Sequence, residues 1–149
     1  GAIEYGRKVG AATIALTANP AGGARLRCDV VIAPRVGPEV LTGSTRLKAG
    51  TAQKLVLNML TTASMVRLGK VYENLMVDLR TASRKLEERT KRVFMHATGA
   101  SYEDTERWLK RAGGSLKVAI VMRRAGVSRA EAERRLREAQ GWVREAIRP

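Results

Sequence analysis

Four residues in this sequence are of types, and close enough together, to handle a polar ligand: Glu39, Ser44, Thr45 and Lys48, within GPEVLTGSTRLKAG (Gly37–Gly50). They stand just ahead of an apolar run that opens a helix. A serine or threonine there can accept a hydrogen bond from a free backbone N–H, as an N-cap. The same N–H groups can hold a phosphate or another anion, with Lys48 helping by charge and Gly43 permitting close approach. Glu39 does not belong in a bare phosphate cradle, because a carboxylate repels an anion. In carbohydrate chemistry such an acid bonds to hydroxyls or moves a proton. Two readings therefore stand together: a capped helix, or an anion or sugar site. The spacing G-x-x-x-x-G-K-[ST] of a P-loop is absent, as is G-x-G-x-x-G.

The elements around this loop follow an α/β grammar. Residues 3–9 read as the end of a helix that stops at Gly10. This opening segment lacks a methionine, and the chain is expected to be a piece of something longer. ATIALTA (Ala12–Ala18) and CDVVIAP (Cys28–Pro34) read as strands buried on both faces, joined through the Asn-Pro and Gly-Gly turn signals of NPAGGARLR. Helix, strand, short connection, strand favours a parallel pair. Two strands do not make a stable parallel sheet alone, so further strands are expected from elsewhere.

From Leu47 to Leu68 the apolar positions cover much of the circumference, which predicts a long, largely buried helix. KVYENLMVDL has Tyr72, Leu75, Met76 and Leu79 at helical spacing. A charged helix is expected from about Ser83 to Ala97, with Leu86, Val93 and Phe94 turned inward. After Gly99 four short helices are expected, 102–111, 116–125, 129–139 and 142–147, as a small bundle. SYED and SRAE read as capping boxes before the first and third of them.

Composition sets outer limits. The 149 residues are 44% hydrophobic and 28% charged, enough for a useful core. The net charge of +14 is evenly spread: ten basic and three acidic residues in 1–72, eighteen and eleven in 73–149. An even cationic surface attracts phosphates in general and argues against a dedicated basic tail. Cys28 and His96 are the only residues of their kinds, so neither an internal disulfide nor a Cys/His zinc site can form. A reducing, cytoplasmic setting is expected. No apolar run reaches the roughly eighteen residues of a membrane-spanning helix. Cys28, Trp108 and Trp142 are read as packing residues, and His96 as a position at a helix end.

The stretch GPEVLTGSTRLKAGTAQKLVLNMLTTASMVRLGKVYENLMVDL closely resembles the signature region of N-acetylmuramic acid 6-phosphate etherases, bacterial enzymes of the SIS (sugar isomerase) fold. The pattern G-P-E-x-L-T-x-S-T-R-L-K-x-G-T-x-x-K-x-x-L-N is long, and is shared with glucokinase regulatory proteins. The resemblance implies an architecture: a partial SIS domain with trailing helices over 1–98, then a UBA-like helical domain over 99–149, mostly helix by residue count. It also implies a reaction. The D-lactyl ether of the sugar phosphate is cleaved by loss of the C2 proton and departure of lactate from C3, followed by addition of water. Two carboxylates suffice, without metal or other cofactor. Both family glutamates, and a Ser-Gly-x-Thr phosphate loop, lie upstream of the residues present here.

The resemblance thus places Glu39, Ser44, Thr45 and Lys48 on the rim of a sugar-phosphate site and assigns no catalytic residue to this chain, which is expected to be inactive alone. It further implies a homodimer, or higher self-association promoted by exposed strand edges. Two rival readings stand beside it. One is a non-catalytic sugar-phosphate-binding regulator. The other is a DNA-binding tail, since AIVMRRAGVSRAEAERRL is similar to a helix-turn-helix. Glu131 and Glu133 in the first turn of the would-be recognition helix disfavour contact with phosphates, so nucleic acid is not the expected partner.

Overall fold

The computed structural model describes residues 1–79 and 83–148, in two compact units, 1–61 and 62–149. The first unit begins with α1 (Ala2–Lys8), which ends before Gly10 at φ 76°. Strands β1 (Ile14–Leu16) and β2 (Val30–Ile32) pair in parallel, with Ile14 opposite Val30 and Leu16 opposite Ile32. Between them lies one turn of helix, α2 (Pro20–Gly23), capped by the Asn19 side chain. Asp29 fixes the start of the pair. Its Oδ2 accepts from the backbone N–H and the hydroxyl of Thr13, both at 2.7 Å. The Thr13 hydroxyl first, and then its N–H, hold the Asp29 carboxyl below its usual pKa.

The expected parallel pair is present, but its burial is not. Ile14 and Val30 are about half exposed, and Cys28 is only partly covered. The same holds for α3 (Lys48–Arg67), expected to be largely buried. Of its residues only Ala49 is buried, while Leu55, Leu57, Met59 and Met65 are exposed. These side chains are apolar because they suit an interior. The described residues do not supply enough apolar surface to enclose them.

The second unit carries the core. KVYENLMVDL, expected as helical, contains an antiparallel hairpin instead: β3 (Val71–Tyr72) and β4 (Leu75–Met76). Glu73 opens the tight turn with φ 54°, a left-handed conformation that breaks any helix at that point. The chain enters the hairpin through Gly69 at φ 66°, where an added Cβ would come within 3.2 Å of the Gly141 backbone. Lys70 pairs with Asp78 across the base of the hairpin.

Five helices follow: α4 (Arg84–Thr98), α5 (Tyr102–Arg111), α6 (Leu116–Ala125), α7 (Arg129–Glu138) and α8 (Val143–Ile147). The expected helices are present to within one residue at each end. Ser83, Ser101, Ser115 and Ser128 each accept a hydrogen bond from the N–H three residues on, so every helix from α4 to α7 starts on a serine cap. The capping boxes are half realised. Asp104 and Glu131 turn their carboxylates to Arg107 and Arg134 rather than back to the cap. Helix α6 is the central element, buried at Leu116 and from Val118 to Met122. It packs with Phe94 of α4, Ala132 and Leu136 of α7, and Val143 and Ala146 of α8 in one cluster that also takes in Tyr72 and Val77. Trp108 packs against this cluster, with the guanidinium groups of Arg111 and Arg123 over its ring at 4.6 and 5.7 Å.

Candidate functional site

The loop from Arg35 to Leu47 connects the carboxyl end of β2 to α3, the edge at which open α/β sheets receive ligands. Gly37 (φ 70°) and Gly43 (φ 87°) make its bends, and Ser44 N–H donates to Leu41 C=O at 3.1 Å. A shallow, mainly apolar groove lined by Val36, Leu47, Thr51, Ala52 and Leu55 runs beside it.

The helix start is organised differently from the expected Ser44 or Thr45 cap. Helix α3 begins at Lys48, three residues beyond Thr45, and the residue before it is Leu47, which has no side-chain acceptor. Glu39, nine residues upstream, supplies the acceptors. Its Oε2 receives Lys48 N–H and its Oε1 receives Ala49 N–H, each at 3.0 Å. The next two amides are also satisfied, Gly50 N–H by Thr45 C=O and Thr51 N–H by Leu47 C=O, both at 3.0 Å. The first turn of a helix otherwise leaves such donors open. Here every amide from Lys48 to Thr51 has an internal partner, so none is left for an outside anion.

This explains the acid that seemed misplaced beside a phosphate cradle: Glu39 is itself the anion at the helix start, where the helix dipole favours negative charge. The Ala49 N–H, then that of Lys48, lower its pKa from the usual carboxylate value, and the Lys48 charge adds to this. The Ser44 and Thr45 side chains are exposed, and their hydroxyls have no hydrogen-bond partner among the described residues. Lys48 is exposed as well. The four residues are thus gathered in the loop and the first position of α3, with Glu39 engaged and the Ser44 and Thr45 hydroxyls open. A carboxylate cap reaching back nine residues has no local sequence signal. Only the absence of a polar residue at position 47 hints at it.

Among the described residues no three His, Cys, Asp or Glu side chains are grouped to hold a metal ion, and no helix is long and apolar enough to cross a membrane. His96 is exposed in the last turn of α4. In the segment resembling a helix-turn-helix, Glu131 is occupied by Arg134 and Arg135 of its own helix.

A parallel strand pair, a polar loop at its carboxyl edge and a long helix opened by that loop define the class: part of an α/β domain, continued by a helical unit. No family model matches the chain. Individual relatives do, over almost its whole length. It is 50% identical over 147 residues to an N-acetylmuramic acid 6-phosphate etherase of Rhizobium rhizogenes, 51% to one of Vibrio cholerae and 52% to one of Mycolicibacterium smegmatis. Each match takes in 99% of this chain and 48–49% of the relative. By sequence the chain is similar throughout to N-acetylmuramic acid 6-phosphate etherases, and it spans about half the length of the curated relatives it matches.

Proposed function

We propose that the chain is the carboxyl-terminal half of an N-acetylmuramic acid 6-phosphate etherase. The parent is a lyase of cell-wall sugar recycling that releases D-lactate and leaves N-acetylglucosamine 6-phosphate. The observation that carries this reading is identity of about half, sustained over 147 residues, to proteins bearing that name. The chain supplies the last strands of a SIS-type sheet over 1–98 and a UBA-like bundle over 99–149. Its loop, with Glu39, Ser44, Thr45 and Lys48, forms part of the rim of the sugar-phosphate site. The acid, the base and the phosphate-holding loop come from the other half, so these residues alone are inactive. The reaction uses carboxylates and no cofactor, in a cytoplasmic homodimer.

Two features support a contributing rather than a catalytic role here. The one carboxylate of the loop is committed to backbone amides. The half-exposed strands and the apolar α3 are surfaces suited to covering by further protein. The test is release of D-lactate from N-acetylmuramic acid 6-phosphate by a full-length protein carrying this chain, beside the 149 residues alone. Activity in the first and none in the second is expected. Lactate release by the 149 residues would overturn the assignment of acid and base to the other half.

A further inference from the structure

We infer that Glu39 is a positioning residue: it holds the Val40–Leu47 loop on the first turn of α3 and leaves the Ser44 and Thr45 hydroxyls as the groups that meet the neutral, hydroxyl-bearing part of the substrate. The inference rests on the reading that this loop borders the sugar-phosphate site. Apart from Glu39, the loop is tied to α3 only at its last residues, where the carbonyls of Thr45 and Leu47 accept from Gly50 and Thr51 N–H. Within 40–47 its one internal backbone bond is Ser44 N–H to Leu41 C=O. Both oxygens of Glu39 are spent on adjacent amides with equal 3.0 Å geometry, which sets where the chain leaves the loop and enters the helix.

The same contacts leave the Lys48–Thr51 amides unavailable to the substrate's phosphate. Each of these four amides has a partner, and two of them already carry the anion, the Glu39 carboxylate, that a helix start favours. Besides the Arg46 guanidinium, the loop still offers the hydroxyls of Thr42, Ser44 and Thr45, unpaired among the described residues and each able to donate one hydrogen bond and accept others; Ser44 and Thr45 are the pair next to α3. Sugar hydroxyls and the acetamido group match them. The Lys48 side chain, one residue past the loop, adds charge without being needed for that contact.

The experiment is a double-mutant cycle in a full-length protein carrying this chain. It uses wild type, Glu39→Gln, Ser44→Ala/Thr45→Val, and the three changes combined. Thermal melting confirms that each is folded. Glu39→Gln keeps one acceptor oxygen of the two, so it weakens the clamp without removing the side chain.

If Glu39 acts through the hydroxyls, Glu39→Gln raises KM by about threefold to tenfold while kcat stays within about twofold, the pattern of lost ground-state binding. The hydroxyl pair variant raises KM by about tenfold or more, as loss of two hydrogen bonds allows. The combined variant then matches the hydroxyl variant alone, because coupled residues are not additive. Amide exchange at Lys48 and Ala49 quickens in Glu39→Gln. Multiplicative effects in the combined variant would show an independent substrate contact by Glu39 and overturn the inference. So would a large fall in kcat for Glu39→Gln at unchanged KM, or unchanged exchange at the two amides. Wild type that releases no lactate would instead remove the proposed function, and the substrate half of this inference with it. The exchange measurement would still decide whether Glu39 holds the turn.

Discussion

The Lys91 ammonium is held by both parts of Tyr102: Nζ lies 2.8 Å from the phenol oxygen and 4.7 Å from the centre of the ring. The same ammonium donates to Glu88 at 3.1 Å and Glu106 at 2.6 Å, and the Tyr102 hydroxyl donates to Glu88 at 3.0 Å. One cation thus joins α4 to α5. Its pKa is raised, by Glu106 first and then by Tyr102. A lysine with a raised folded pKa contributes stability that is present below its ordinary value and is lost as pH rises past it.

Replacing Lys91 by Met should destabilise the helical unit more than replacing Tyr102 by Phe. The phenylalanine keeps the ring under the ammonium and loses only the hydroxyl's bonds, at about 0.5–1 kcal/mol. Lys91→Met leaves Glu88 and Glu106 without their shared cation. Thermal melting of both variants gives the order. A larger loss from Tyr102→Phe would place the tie in the hydroxyl rather than in the cation.

Burial separates two kinds of apolar residue in this chain. Phe94 is fully buried, and Phe94→Ala should cost about 3–5 kcal/mol, enough to unfold much of the helical unit at ambient temperature. Leu57 is 54% exposed, so Leu57→Ala in the 149-residue chain should shift stability by less than about 0.5 kcal/mol. In a full-length protein the same Leu57 change should cost about 2–4 kcal/mol, if the other half covers α3. Denaturant titration of both variants in both lengths measures this. Equal, small effects of Leu57→Ala in the two lengths would mean that α3 stays exposed in the parent.

Acid should loosen the helical unit through Glu131. Hydrogen bonds from Arg134 and then Arg135 lower its carboxyl from the ordinary 4.5 to about 2. A carboxylate with a depressed folded pKa adds stability that is present above the unfolded value and is lost as pH falls toward the folded one. The loss from this residue should therefore fall between about pH 4.5 and pH 2. Glu131→Gln should flatten that part of the stability–pH curve and leave its alkaline side alone. An unchanged acid limb in the variant would move the effect to other carboxylates.

How much could be read from the sequence depended on how local each signal was. The four terminal helices were legible almost to the residue, because Ser101, Ser115 and Ser128 start three of them and glycines or short turns end them. The parallel strand pair was legible from β-branched apolar runs between turn signals. The hairpin was not. Tyr72, Leu75, Met76 and Leu79 have the spacing of a helix face, and the turn is made by Glu73 in a left-handed conformation without the usual glycine. Nor was the exposure of α3. Apolar residues state a preference for burial and say nothing of whether the covering surface is in the same chain. At the candidate site the four residues were legible as a group, but the division of labour was not. The acceptor for the α3 start lies nine residues away, at Glu39, while the nearer hydroxyls of Ser44 and Thr45 stay free.

One measurement bears most directly on whether these residues are half of an etherase. It is the D-lactate released from N-acetylmuramic acid 6-phosphate by a full-length protein carrying this chain, followed together with the sugar product. D-lactate and N-acetylglucosamine 6-phosphate are expected in equal amounts. A full-length protein that binds the sugar phosphate but releases no lactate would contradict the etherase assignment and make the chain part of a binding protein instead.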